Sequence, residues 1–333
     1  MLNGICTLAN DAVYHQVVAL INSIEANAGS DFPVCIFPYD SQLTKLLQLA
    51  EQRPQVSVYS NSESIQSWDN FVERLWKTHP NASDCWLAAG TSQGIHRMGT
   101  HRRYCAFDGP FDNFLYMDAD TLLLDPVDEL FDLLSQHDWV TYDFQYKDPS
   151  HVYEVSSPKL QALFSKEQIE DKIFCSGFYA SKKGLFQVDK LDSLLDLLKS
   201  GEAEILYPLA PDQTILNYLV MRLNINSVNL ARVWPSEMRT GNSVTSSHFN
   251  AVGEKVFDKG KPLLYLHYIG VSSKLFRHLC EGENVDFPYR DVFLHYRYLH
   301  NPSERPVLKG KPKPYKQGES KFRRILKKLA RKN

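Results

Sequence analysis

Phe114-Leu115-Tyr116-Met117-Asp118-Ala119-Asp120-Thr121-Leu122-Leu123-Leu124 decides how the rest of the chain is read. Its first four residues are an apolar run of strand length, and the run delivers two carboxylates two positions apart where it leaves the core. An Asp-x-Asp after a strand is also ordinary turn chemistry, because Asp tolerates turn conformations. Here the chain re-enters the core at once through Leu122, Leu123 and Leu124, then turns at Asp125-Pro126. That context favours a built pair of oxygen ligands, of the kind a hard divalent cation takes when it shares a polyphosphate.

Working outward, the flanking sequence predicts alternating strands and helices. Leu2–Leu8 suits a buried first strand, and Asn10-Asp11 caps a helical pattern in Val17, Val18, Leu20, Ile21 and Ile24 that ends near Gly29. Val34–Phe37 and Val56–Tyr59 read as strands with a helix at Leu43–Leu49 between them. Further strands are expected at Trp139–Phe144, Phe174–Tyr179 and Leu263–Leu266, and helices around 187–200 and 212–222. The expected class is α/β, with a mostly parallel central sheet flanked by helices. Ligands of such sheets sit at the carboxyl ends of the strands, where Asp118 and Asp120 emerge. Residues 61–110 read as a helical cover whose Trp68, Trp76 and Trp86 pack in the core; the competing reading lines an acceptor pocket with them.

Hydrophobic and charged contents of 43% and 23% are those of an ordinary globular protein. No apolar stretch approaches the roughly 18 residues of a membrane span, and the N-terminus lacks a basic region with an apolar cleavable segment, so a cytoplasmic body is expected. Six scattered cysteines without a CxxC pair read as reduced thiols. Charge is distributed unevenly. Residues 301–333 carry twelve Lys/Arg against Glu304 and Glu319, whereas residues 1–300 carry 25 Lys/Arg against 37 Asp/Glu. The division is therefore an acidic body over 1–300 and a basic, Pro/Lys-rich tail over 301–333. In the tail Phe322, Ile325, Leu326 and Leu329 fall at i, i+3, i+4 and i+7, the stripe of a short amphipathic helix. Such a tail suits an anionic membrane surface or a partner, the cytoplasmic membrane face included. Nucleic acid is not an expected ligand of so acidic a body.

Residues 114–131 resemble the metal motif of GT-A glycosyltransferases, and glycosyltransferase family 8 (glycogenin and bacterial galactosyltransferases) most closely. Four further segments in the right order extend the resemblance over most of residues 3–275. Thr7-Leu8-Ala9-Asn10-Asp11-Ala12-Val13-Tyr14 is similar to the first strand-to-helix turn of the family, which implies that Thr7, Ala9, Asn10 and Tyr14 hold the base and ribose of a UDP-sugar. Thr100–Tyr104 is similar to the segment whose basic residue meets donor phosphate; Arg103 fits best, with Arg102 close behind. Asp143 and the turn Cys175-Ser176-Gly177 match sugar-contacting positions, with Ser176 retained and Cys175 standing where Asn is usual, a departure that suits a different donor hexose. Pro211–Asn217 resembles the segment beside the anomeric carbon, which assigns Asp212 and Gln213 to the oxocarbenium-like centre; Asp212 also suits a helix N-terminus. Finally, His267–Lys274 is similar to a His-x-x-Gly-x-x-Lys ending, with Gly270 in place and the lysine one residue late. The resemblance thus implies a metal shell of Asp118, Asp120 and His267 for Mn²⁺ or Mg²⁺. It implies Lys274 on the diphosphate, and hexosyl transfer with retention to a glycan, lipid or protein acceptor.

Two other classes compete. A haloacid-dehalogenase-like phosphatase also uses Asp-x-Asp after a strand, but needs Thr two residues after the second Asp, where this chain has Leu122. A non-catalytic nucleotide-sugar-binding protein would account for Cys175 and the displaced Lys274.

Overall fold

Strands β1 (Asn3–Ala9), β2 (Val34–Pro38), β3 (Val56–Val58), β4 (Asn113–Met117), β5 (Thr121–Leu123), β6 (Trp139–Thr141), β7 (Phe178–Lys182) and β8 (Ser227–Asn229) follow in chain order in the computed structural model, which describes residues 1–91 and 93–315. All but β5 form one sheet in the order β3-β2-β1-β4-β7-β6-β8. Six strands run parallel, and β7 alone is reversed between β4 and β6. Period-two alternation sorts the strand side chains onto two apolar layers. Cys6 and Leu8 of β1 and Phe114 and Tyr116 of β4 face one layer, which α3 (Ser62–Trp76) covers. Ile5, Ala9, Leu115 and Met117 face the other, covered by α1 (Tyr14–Ala28) and α2 (Thr44–Gln52). The α/β class and the parallel sheet are as expected.

A second, two-stranded sheet positions the chemistry. β5 pairs antiparallel with the strand Tyr265–His267, in a register that sets His267 opposite Thr121. α1 holds β5 from beneath with side chains in place of a further strand. Ser23 Oγ accepts from the Leu123 N–H at 2.9 Å, and Asn27 Nδ2 donates to the Leu123 carbonyl at 3.0 Å.

Several boundaries differ from the sequence reading. The strand expected over Phe174–Tyr179 begins only at Phe178. Side chains occupy the backbone of the residues before it: Asn217 brackets Phe174, Asp143 accepts from Cys175 N–H, and Gln213 accepts from Ser176 N–H. The strand expected to reach Phe144 stops at Thr141, and the one expected from Leu263 begins at Tyr265. Residues 61–110 are helical as read, in α3, the helix Ala82–Ala88 and 3-10 turns over Met98–Asp108. Trp68, Trp76 and Trp86 are each under 5% exposed, so they are core residues. All six cysteines are free. The expected linker from Asn301 is ordered into a 3-10 turn at Pro302–Glu304 and a strand at Lys309–Pro314, parallel to Glu283–Asp286. The amphipathic stripe at Phe322–Leu329 lies outside the described residues. No helix among the described residues is long and apolar enough to cross a membrane.

Candidate active site

β1 and β4 are neighbours and parallel, so the Ala9-Asn10 turn and the Asp118–Asp120 turn emerge side by side at the carboxyl ends of the strands. There they border a cleft of roughly 550 Å³. The Asp118–Asp120 turn is tight: Thr121 donates to the Asp118 carbonyl from its backbone N–H (3.0 Å) and from Oγ1 (2.7 Å). The reversal sends β5 back along the Tyr265–His267 strand, and Tyr268 N–H seals the junction on the Asp120 carbonyl at 2.9 Å. One ligand atom from each of Asp118, Asp120 and His267 lies within 4.8 Å of the others. Sequence positions almost 150 residues apart thus meet in one constellation.

Its electrostatics suit a cation. Burial, reinforced by the charge of Asp120, pushes the Asp118 carboxyl above its ordinary range against the pull of Arg103. Burial opposes charge on Asp120 too, but His267, 3.3 Å from its Oδ1, outweighs it and lowers that carboxyl. Burial likewise resists a charged His267, yet Asp120 prevails and holds the imidazole well above the usual histidine value. Without a cation, then, the imidazole takes a proton that a metal would replace.

Behind the triad, Arg103 is committed to protein partners. Nε donates to the Thr100 carbonyl, Nη1 to the carbonyl and Oγ of Ser176, and Nη2 pairs with Asp118 at 3.1 Å and Asp212 at 3.0 Å. Nε and Nη1 thus hydrogen-bond within the protein, and Nη2 is held by two carboxylates. Its plane also lies over the Tyr116 ring, 4.9 Å from the centroid. Burial opposes charge here, but Asp118 and Asp212 overcome it, so Arg103 stays a cation. Arg103 is a strut between the metal turn, the Ser176 turn and the helix Pro211–Arg222, not the open phosphate fork expected from its sequence position. Asp212 is held ionised in return: burial raises its carboxyl, but Arg103, with His101 and Arg97 behind it, lowers it further.

The same architecture occurs in solved structures. Over 91% of this chain it superposes on 51% of the WbbM bifunctional glycosyltransferase, with a TM-score of 0.52 at 16% identity. The fold is of the GT-A glycosyltransferase type. This chain spans about half the length of that relative. The galactosyltransferase LgtC, solved with donor and acceptor sugar analogues, is matched over 65% of this chain and 70% of its own, at 16% identity and a TM-score of 0.42. No protein-family profile and no curated protein matches the sequence.

In this GT-A frame the remaining residues expected in the site divide into two groups. Ala9, Asn10, Ser176, Asp212, Gln213 and Gly270 line the cleft with the triad and Arg103. Asn10 is committed locally, accepting from Ala12 N–H and donating to Asp40. Gln213 is also tied at both ends, accepting from Ser176 N–H at 3.1 Å and donating to the His151 carbonyl at 2.8 Å. Thr7, Tyr14, Asp143 and Lys274 do not line it. Thr7 is fully buried within β1. Tyr14 is half-buried against the core, with Lys45 and Arg297 each 5.8 Å from its ring centre. Asp143 is 2% exposed and spends both oxygens on the backbone N–H groups of Gln145 and Cys175; burial pushes its carboxyl up to about 7. Lys274 is exposed on the helix Ser273–Cys280, where its neighbour Ser273 faces the cleft. A helix turns about 100° per residue, so a lysine one position late points elsewhere. Arg102, the second basic candidate, is engaged by Asp69 at 2.8 Å.

Sequence reasoning missed Arg97, Tyr39, Gln16 and Ile269, all of which line the cleft. Arg97 adopts a left-handed backbone (φ 53°) between Gly94 and Gly99. A side chain at Gly99 would meet the Tyr39 carbonyl at 2.3 Å, so that glycine lets the Arg97 loop close over the end of β2. The flanking glycines were the available signal.

Proposed function

We propose that the chain is a metal-dependent glycosyltransferase that moves a hexose from a nucleotide sugar, a UDP-sugar, to a glycan, lipid or protein acceptor with retention of configuration. The observation that carries this reading is the convergence of Asp118, Asp120 and His267 beside the Asn10 turn, at the carboxyl ends of β1 and β4. The residues present fit Mn²⁺ or Mg²⁺: two carboxylates and one imidazole are hard or borderline donors, and they leave positions for diphosphate oxygens. A cradle is built for them as well. A Cβ at Gly177 would lie 2.7 Å from Asp118 Oδ2 and 2.9 Å from His267 Cε1, so only glycine leaves both ligands room. When bound, the cation neutralises charge growing on the diphosphate leaving group.

The protein's own groups do the rest. Arg103 fixes Asp118 and Asp212 in register before a donor arrives, so no reorganisation is needed as charge develops. Arg97 adds positive field at the cleft wall opposite Asp212. Gln213 and Ser176, linked to each other, shape the wall where the sugar would lie, with Asp212 ionised to steady an oxocarbenium-like centre. Cys175 replaces an amide at that wall, which supports a donor hexose without a hydrogen-bond demand at this point. The basic segment beyond Tyr315 is proposed to hold the enzyme at an anionic membrane surface on the cytoplasmic side.

The deciding experiment is a panel of UDP- and GDP-sugars assayed for Mn²⁺- and Mg²⁺-dependent donor hydrolysis, with the anomer of the released sugar read by NMR. Hydrolysis of one UDP-hexose, lost in Asp120→Asn, is expected. Metal-dependent UDP binding by calorimetry without turnover of any donor would replace transfer with a binding function.

A further inference from the structure

Besides His267, the cleft is lined by two basic side chains, Arg97 and Arg103, set against Asp118, Asp120 and Asp212. Arg103 spends Nε, Nη1 and Nη2 on protein partners. The exposed Arg97 guanidinium makes no hydrogen bond or ion pair among the described residues. Asp212, on the same cleft, is already held by Arg103 at 3.0 Å. Lys274, the other cation offered to a diphosphate by the sequence, does not line the cleft.

The backbone is built to present this one open cation. Arg97 has a φ of 53°, in the left-handed region that costs free energy for any residue with a Cβ. No other non-glycine residue lining the cleft has a positive φ. Thr100 holds the Arg97 carbonyl twice, donating from its N–H at 2.9 Å and from Oγ1 at 2.8 Å. Thr100 is 3% exposed, and its own carbonyl accepts from Arg103 Nε at 3.1 Å. The strut behind the metal turn therefore also braces the turn that carries Arg97. A strained residue with an unanswered charge, held in place at a cleft, has the character of a ligand clamp.

Charge balance names the ligand. A divalent cation on Asp118 and Asp120 would be matched by those two carboxylates, and Asp212 is matched by Arg103. A diphosphate entering beside them brings charge that none of these groups is left to answer, and its charge grows as the sugar departs. A planar guanidinium fits phosphate oxygens in a bidentate fork. We infer that Arg97 binds the diphosphate of the donor, in the place that the sequence offers to Arg103 and Lys274. This inference rests on the nucleotide-sugar reading of the cleft.

The test is calorimetric titration of the full chain with UDP in saturating Mn²⁺, for the wild type, Arg97→Gln, Arg97→Lys and Arg97→Gly. UDP affinity is expected to fall about 10–100-fold in Arg97→Gln and Arg97→Gly, the loss of a charge-assisted contact to phosphate. Arg97→Lys should recover part of it, since lysine restores the charge without the fork. Mn²⁺ affinity without nucleotide should stay as in the wild type. Arg97→Gly adds a second readout: glycine adopts a φ of 53° without strain, so Tm should hold or rise while UDP affinity falls. Lys274→Gln is the control and should bind UDP as the wild type does. Wild-type UDP affinity in Arg97→Gln and Arg97→Gly overturns the inference and leaves the nucleotide-sugar reading standing. An equal loss in Lys274→Gln does the same, as does a Tm that falls together with affinity in all three Arg97 variants. Absence of Mn²⁺-dependent UDP binding in the wild type overturns the nucleotide-sugar reading itself, and this inference with it.

Discussion

Gly177 is the residue on which the metal centre turns without being a ligand. Its carbonyl accepts from Asp118 N–H at 2.9 Å, and the space a methyl group would fill is taken by Asp118 and His267. Gly177→Ala is therefore expected to displace ligand atoms while leaving both ligands present. Mn²⁺ affinity measured by calorimetry should fall about 10–100-fold, the range for lost support of a metal ligand, with little change in thermal unfolding. Unchanged affinity would mean that the cation does not sit between Asp118 and His267. Asp143 acts at the same scale through its proton. Its folded carboxyl titrates near 7 against an ordinary 3.8, so the folded state binds that proton more tightly. The resulting stability is fully present below about pH 4 and is lost as pH rises through 7. Between pH 5 and 8 the loss is about 2–3 kcal/mol by linkage. Urea unfolding at those two pH values should show this decline in the wild type and a decline smaller by that amount in Asp143→Asn; equal declines would place the proton elsewhere. Asp118, Asp120 and His267 were legible because motif and order name them. The role of Asp143 was not, because a carboxylate spent on two backbone N–H groups looks in sequence like one that reaches a sugar.

Elements position this chemistry through substitutes for strands. β5 is three residues long and has one strand partner, yet it fixes both the Asp118–Asp120 turn and His267. Ser23 of α1 completes its second edge by accepting from Leu123 N–H while donating to the Leu20 carbonyl. Ser23→Ala leaves the Leu123 N–H buried without a partner, at a cost of about 1–3 kcal/mol in urea unfolding. Because β5 carries the metal turn, the same variant should also weaken Mn²⁺ binding; a stability loss with normal metal affinity would show that the turn keeps its geometry without the Ser23 bond, through Arg103, Thr121, Tyr268 and Gly177. The strand-helix alternation was legible from periodicity. The true start of β7 was not, since Asn217, Asp143 and Gln213 bond the backbone of Phe174–Ser176 from distant parts of the chain. Long-range side-chain bonds leave no local period. Lys274 fails for the opposite reason: its spacing from His267 is nearly right, and the helix phase alone turns it away.

At the scale of the whole molecule, the site joins two parts of the chain that the main sheet does not connect. Asp118 and Asp120 follow β4 of that sheet, whereas His267 closes the small sheet packed over α1 and the helix Arg290–Arg297. A cation bound by all three would stabilise only the folded state, because no unfolded chain presents the three together. At about 100 times its Kd it should add about 2.7 kcal/mol, seen as a rise in Tm with Mn²⁺ concentration. Asp120→Asn and His267→Gln should each remove that rise, and the distinction from other cation sites is sharp. A second group, His278, Glu281 and Glu283, also brings ligand atoms within 4.8 Å of one another, but Glu283 is engaged by Lys313 at 3.2 Å. If Mn²⁺ still raises the Tm of Asp120→Asn and ceases to do so when Glu281→Gln is added, the stabilising ion sits at that second group. The Asp118–Asp120–His267 centre would then have lost its claim to the metal, and with it the leaving-group chemistry proposed for the cleft.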